Sequence, residues 1–500
     1  MNRQVHSTCP YCGVGCGIVL NVDEQDRIRW VDDEPSNFSS DGMLCVKGRF
    51  GTTFVNHPDR LTEPLIRRAG KLQPASWDEA LDLVATRFAE NRGYFGSFAS
   101  AKATNEDAFV QQKFVRAVMG TNNIDHCTRL CHSPTVEAML DQLGSGATSN
   151  SYADYEDASC LMLVGCDPGS NHPVAASRMR RAIDTRGTHL IVVNPRRIDM
   201  CDRATIFLQP RAGTDVALFN GMARAILDAG MEAADFIASR TESYAGWLDA
   251  LRSVSVEECA AVCGVPEDDL RAAALLFARP PHLPWQPTNH TPGSCLIWGM
   301  GVTQHTNGTD NAHSLLNLAL LTGQLGRPGS GVSPLRGQNN VQGCGDAGCI
   351  PDSLPGYQSY EDSVIAPFEA AWETQLPRTT GLKATDMVEL IKTGTIRAMY
   401  IVGENPLLSE PNLHHATDSF KALDFLVVQD LFLHETAELA DVVLPACSFA
   451  EKDGTFTNSE RRVQRVRQAI HAVGQSRPDW QIVSEIASRM LATAGAVTAG

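Results

Sequence analysis

Several things are missing from this chain, and each absence removes a class of function. No apolar run approaches the roughly eighteen residues that a membrane-spanning helix needs. The opening Met1-Asn2-Arg3-Gln4-Val5-His6 has neither an apolar core nor a twin arginine, so the expected location is cytoplasmic. There is no basic excess: the formal net charge is -16, which argues against nucleic acid as the main partner, although a local basic funnel for a small anion remains compatible with it. No strand-like run is followed by GxGxxG, so a standard NAD site is unsupported. No short repeat recurs. The length of 500 residues exceeds one core, and roughly two to four domains or lobes are expected.

What the chain does have is cysteine, 15 in all, without the small secreted format that disulfides favour. Seven of them, Cys160, Cys166, Cys201, Cys259, Cys263, Cys295 and Cys447, sit in apolar or mixed surroundings and read as small buried hydrophobes. Four others form a pattern. Cys9, Cys12, Cys16 and Cys45 have the spacing C-x2-C-x3-C-x28-C, with glycines between the first three. Such thiolates can wrap a 4Fe–4S cubane, with glycine letting the backbone approach the sulfides. Zinc is the competing reading, since four cysteines also satisfy a tetrahedral ion. Alternating segments around residues 18–22 and 27–31 suggest that this motif rides on a small antiparallel sheet.

From Trp77 onward the pattern becomes α/β. Leu81, Val84 and Phe88 share a helical face, and Thr104 caps a helix expected over 105–119, with Gly120 as its stop. Apolar runs at 161–164, 190–193, 296–298, 399–402 and 425–428 each end in Gly, Asn, Gln or Asp. Continuous apolar runs read as buried parallel strands, whose carboxyl ends gather ligands. The Pro-rich stretch 280–293 reads as a surface insertion, and the end from Ala492 as frayed.

The densest chemistry lies in Asp125-His126-Cys127-Thr128-Arg129-Leu130-Cys131-His132-Ser133-Pro134. Two cysteines, two histidines and an arginine make a poor core and a good metal and proton site. On the residues alone Cys127 is as good a ligand as Cys131, and His126 as good a base as His132. A second anchor, residues 327–346, is rich in glycine and amides around Arg336, whose planar fork suits a carboxylate.

Together these motifs resemble the molybdenum/tungsten bis-pterin oxidoreductases, and among them the catalytic subunits of formate dehydrogenases. The resemblance spans residues 9–489. The four-cysteine opening is shared with assimilatory nitrate reductases. The stretches 127–134, 298–305 and 334–343 favour the formate enzymes, because nitrate reductases lack the Cys-His pair. The resemblance implies Cys131 as the ligand to molybdenum or tungsten, His132 as proton acceptor and Arg336 as the group orienting formate. Lys47 would relay electrons between cluster and pterin. Asn194, Arg196, Gly299, Gln304, Gln338, Gly403, Glu404, Gln429 and Asp430 would line two molybdopterin guanine dinucleotides.

The implied fold is α/β: a small 4Fe–4S antiparallel β domain (1–60) and two doubly wound, Rossmann-like lobes in a discontinuous arrangement. One lobe combines 61–127 with 337–447, the other is 128–336, and 448–500 returns to the cluster domain. Formate dehydrogenases of this type continue into a β-barrel capping both dinucleotides, so the expectation is either a partner chain that supplies the barrel or a truncated sequence. An electron-accepting iron–sulfur or diaphorase-type subunit is another expected partner. Two other readings stand beside formate oxidation: a non-catalytic iron–sulfur scaffold or fragment, and a nitrate reductase.

Overall fold

The computed structural model describes residues 3–287 and 289–498. The chain opens with an antiparallel sheet of β1 (Arg3–Thr8), β2 (Gly17–Val22) and β3 (Ile28–Asp33), in the order β1-β2-β3. The first three motif cysteines occupy the β1–β2 connection. Cys45 precedes a short helix, Val46–Phe50.

Four strands then begin a second sheet: β4 (Leu65–Arg68), β5 (Lys71–Pro74), β6 (Phe95–Ala99) and β7 (Ile124–His126). The chain leaves it to build β8 (Cys160–Val164), β9 (His189–Val193), β10 (Ile206–Leu208), β11 (Ser294–Trp298) and β12 (Gly331–Pro334). It then returns with β13 (Ala398–Val402), β14 (Phe425–Asp430) and β15 (Val442–Pro445). The excursion forms a wholly parallel five-stranded sheet, ordered β10-β9-β8-β11-β12. The interrupted sheet has seven strands, ordered β5-β4-β15-β14-β13-β6-β7, parallel except at the β4 and β5 edge. Both are apolar on both faces, as strands covered by helices must be: Cys160 to Val164 and Ala398 to Val402 are buried throughout.

Strand order reverses beside β8 and β11 in one sheet and beside β6 and β13 in the other. Chains leaving neighbouring strands in opposite directions open a crevice there, where α/β proteins hold ligands. Each crevice is closely built. Gly165 (φ +54°) meets the Gly301 backbone, where a Cβ would lie 2.9 Å from the Gly301 carbonyl carbon. Gly403 (φ +60°) would put a Cβ 2.8 Å from that of Ser100, whose Oγ donates to the Gly403 carbonyl at 2.8 Å.

Three expectations need correcting. The helix begun at Thr104 is α-helical over Asn105–Lys113 and widens to a π-turn over Phe114–Val118, placing Arg116 wholly inside the protein. The tail after residue 448 does not simply return to the cluster domain. Its hairpin, β16 (Gly454–Thr457) and β17 (Val463–Val466), does: Ser459 N donates to the Gly13 carbonyl at 2.8 Å. The following helix, Asp479–Thr498, instead packs Ile482, Val483, Ile486 and Met490 into the seven-stranded lobe with Leu81, Val84 and Phe88. That helix also covers residues expected to be frayed, and Ala499 and Gly500 lie outside the described residues.

The Pro-rich stretch is anchored rather than loose. Trp285 Nε1 donates to the Arg186 carbonyl at 2.9 Å under the Arg186 guanidinium, and Gln286 is buried against Ser159. Among the described residues, no helix is long and apolar enough to cross a membrane.

Candidate active site

Cavities at the two crevices share wall residues with a central one. A cavity of about 600 Å³ at the five-stranded switch point is lined by Asn194, Arg196 and Gly299. One of about 320 Å³ at the seven-stranded switch point is lined by Gly403, Gln429 and Asp430. Between them, a central cavity of about 480 Å³ is lined by Cys127, Cys131, Gln304, Gln338 and Glu404. Tyr11 borders all three, Gln304 borders the first and the central cavity, and Lys102 borders the central one and the seven-stranded one. All nine residues expected to line dinucleotides therefore border one or another of these three neighbouring cavities. Not all are free to bind: the Gln429 amide is taken by Asp479 and Tyr400, and Arg196 pairs with Asp167 at 3.1 Å.

Cys131 stands where β7 passes through a 3₁₀ turn (Cys127–Leu130) into the helix Ser133–Leu143. His132 occupies the position just before that helix, and Pro134 pre-sets its first turn. Asp125, fully buried, fixes the turn by accepting from Arg129 Nε at 2.7 Å and from the Ala384 amide at 2.9 Å. Thr303 Oγ1 holds the Cys131 carbonyl at 2.6 Å.

The segment 335–338, just past β12, connects everything. Leu335 N donates to the Trp298 carbonyl at 2.9 Å, at the end of β11. His132 Nε2 donates to the Leu335 carbonyl at 3.0 Å, and His172 Nε2 donates to the Arg336 carbonyl at 2.7 Å. The Gly337 amide hydrogen-bonds the Cys131 sulfur, and the Gly337 carbonyl accepts from Gly13 N, inside the four-cysteine loop, at 3.1 Å. A Cβ on Gly13 would lie 2.5 Å from the Arg336 carbonyl oxygen. Arg336 itself is buried and lines an outer cavity of about 230 Å³ together with His126, Arg129, Ser133 and Lys383. Cys131, His132, Arg336 and the cysteine loop thus meet in one place.

Burial sets the charge states here. It pushes the Cys131 thiol up to about 11, against the pull of Arg336 and the Gly337 amide. It pushes His132 down to about 3, helped by the Arg336 charge, so the imidazole is neutral at ordinary pH. His126 falls to about 3 for the same reason, with Arg129 and Arg336 adding to burial. Burial raises Glu404 to about 8, with Asp430 and Glu410 reinforcing it.

Several buried polar atoms around these cavities have no partner within the protein: His132 Nδ1, both His126 ring nitrogens, Arg336 Nε and Gln338 Oε1. Unpaired buried polar groups are expensive, and such a concentration around neighbouring cavities marks ligand positions.

Sequence reasoning missed three of these residues: Tyr11 and Lys102 border the shared cavities, and His172 anchors Arg336. His126, weighed as an alternative base to His132, lies on the wall between the central and outer cavities. Cys166, grouped with the inert cysteines, lines the five-stranded crevice.

The four motif cysteines are unpaired by disulfides. Burial raises Cys9 to about 12, and the charges of Cys12 and Cys45 add to it; Cys16 is raised by burial and then by the other three. Four cysteines whose thiolates would repel one another, on glycine-rich backbone, fit a cationic inorganic core. A Cβ on Gly48 would sit 3.3 Å from the Cys9 sulfur, so the backbone is pressed against the ligand set. Among the described residues, no three Cys, His, Asp or Glu side chains are grouped as a single metal ion would require. The strand-end polar groups and the orphaned polar atoms around these cavities fit a pterin cofactor.

Comparison with known proteins agrees. The family model for the molybdopterin oxidoreductase Fe4S4 domain matches residues 3–57, and that for molybdopterin oxidoreductase matches residues 60–489. The chain is 41% identical over 487 residues to the F420-dependent formate dehydrogenase subunit alpha of Methanocaldococcus jannaschii, covering 97% of this chain and 70% of that one. It is 41% identical over 493 residues to the F420-dependent formate dehydrogenase 2 subunit alpha of Methanococcus maripaludis, covering 98% and 70%. With a Bacillus subtilis protein named as an oxidoreductase, YjgC, it shares 38% over 496 residues, 98% of this chain and 49% of that one. The solved acetylene hydratase from Pelobacter acetylenicus shares the fold at a TM-score of 0.79 and 20% identity, over 97% of this chain and 69% of that one. With the two family models together matching almost the whole chain and the cysteine loop bonded directly to the cavity wall, the chain belongs to the molybdopterin oxidoreductase family, with a 4Fe–4S cluster and a molybdenum- or tungsten-bearing pterin as its cofactors.

Proposed function

We propose that this chain oxidises formate to carbon dioxide, as the catalytic subunit of a formate dehydrogenase. The observation that carries this reading is the convergence of Cys131, His132 and Arg336 on the segment 335–337. Relatives named as formate dehydrogenase alpha subunits support it.

Formate must give up two electrons and one proton. When bound, the pterin-held metal supplies the two-electron acceptor. Cys131 would be its protein ligand: a soft sulfur suited to such a metal, held by the Gly337 amide. Metal binding has to displace the proton that burial favours on this thiol. Arg336 presents a buried guanidinium with an unpaired Nε to the outer cavity, where it can grip a carboxylate and aim its C–H inward. His132 has one tautomer available. The Leu335 carbonyl can only accept, so Nε2 carries the proton and Nδ1 keeps a lone pair. That unpaired, neutral Nδ1 is the natural acceptor for the proton released. A non-catalytic scaffold would leave both orphaned groups without purpose.

Lys47 fits the relay position, bordering the five-stranded crevice beside Cys12 with its Nζ on the Ser170 carbonyl at 3.0 Å. An electron-accepting partner would dock where Val46 and Phe50, each 67% exposed, follow Cys45. Formate-dependent reduction of a viologen dye by the metal-replete protein tests the reading. Nitrate turnover without formate oxidation would overturn it.

A further inference from the structure

Lys102 leaves the end of β6 at the seven-stranded switch point and points across the cavities toward the cysteine loop. Its Nζ donates to the Pro10 carbonyl at 3.1 Å and to the Tyr11 carbonyl at 2.6 Å, the two residues between Cys9 and Cys12. It also lies 5.9 Å from the centre of the Tyr11 ring. Its accessible surface is the wall of the central and seven-stranded cavities, which a bound cofactor would cover. Burial draws its pKa down, while Cys12, Cys9, Cys127 and Glu404 act to hold its charge. In the other direction, its charge favours the thiolate at both Cys9 and Cys12. Lys47 approaches Cys12 as well, but from the five-stranded crevice, with its amine on the Ser170 carbonyl. Each crevice therefore sends one lysine to the cluster loop.

We propose that Lys102 is a positioning residue that sets the reduction potential of the 4Fe–4S cluster. When the cluster takes one electron, its charge becomes one unit more negative, and no bond is made or broken. A fixed cation beside two of the ligating thiolates favours the reduced form and so raises the potential. The inference rests on the cluster and not on which substrate the chain uses.

The experiment is an EPR-monitored redox titration of the purified full chain with dithionite as reductant, alongside iron analysis, for the parent, Lys102→Met and Lys102→Arg. Four irons per chain in all three are expected, with a lower midpoint potential in Lys102→Met and recovery toward the parent value in Lys102→Arg. An unchanged potential in Lys102→Met would overturn the proposal. So would a Lys102→Met protein that fails to hold four irons, since the lysine would then build the site rather than tune it. A potential that falls equally in Lys102→Arg would also overturn it, because charge would not be the operative property.

Discussion

His132 donates its Nε2–H to the carbonyl of Leu335 at 3.0 Å, so the imidazole proposed as proton acceptor is tied to the residue immediately before Arg336, the proposed formate clamp. The two groups share one segment. A substitution at either one should therefore be read through both.

Replacing Arg336 with lysine keeps a cation but loses the planar fork. The account expects kcat/KM for formate to fall about 100-fold, with KM rising more than kcat falls. Steady-state kinetics with varied formate measures the split. Unchanged KM would place formate elsewhere.

Arg116 is a buried charge held by uncharged acceptors. It donates to the carbonyls of Gly348, Ile350 and Ser353 at 2.7, 2.8 and 2.8 Å and to the Asn122 and Gln112 side chains at 3.0 and 2.8 Å. Arg116→Ala orphans these acceptors and should cost about 3 kcal/mol or more. Urea unfolding of the parent and variant tests this, and a loss under about 1 kcal/mol would contradict it.

Glu404 makes the cofactor-free protein pH-sensitive. A glutamate carboxyl ordinarily titrates near 4.5, and burial raises the folded one to about 8, so folding takes up a proton across that interval. A raised acid pKa is a penalty for folding that is absent below the unfolded value and grows as pH rises toward the folded one. Stability should thus fall between about pH 4.5 and 8. Because Glu404 borders an open cavity, the effect is set at about 2 kcal/mol, well below the full linkage value. Glu404→Gln should remove that slope. Urea melts at pH 5.5 and 8 make the comparison, and parallel behaviour of the two proteins would refute the assignment.

Much of this arrangement can be read in the sequence because it is written locally. Apolar runs ending in polar residues mark the strands, and those endings, Asn194, Gly299, Gly403 and Asp430, do line the crevices. The cysteine spacing and the Cys-His pair are local as well. Groups that matter through tertiary contact are not legible. His172 looks like any histidine before a helix, and only the return of the chain at Arg336 gives its ring a carbonyl. Lys102 follows an ordinary strand, yet the β1–β2 loop arrives from another domain to meet it. The π-turn at Arg116 keeps the apolar face of a regular helix, so periodicity cannot reveal it. The final helix is amphipathic whichever lobe it joins, and packing alone selects the seven-stranded one.

The central claim is that Cys131, His132 and Arg336 form one formate-oxidising centre wired to the cysteine loop. The most direct test is EPR of the chain's own 4Fe–4S cluster after adding formate to metal-replete holoenzyme, for the parent and Cys131→Ala. The account predicts that formate reduces the cluster in the parent, and that only dithionite reduces it in Cys131→Ala. A parent holding its full molybdenum or tungsten and iron whose cluster stays oxidised in formate would contradict it, as would equal reduction in the variant.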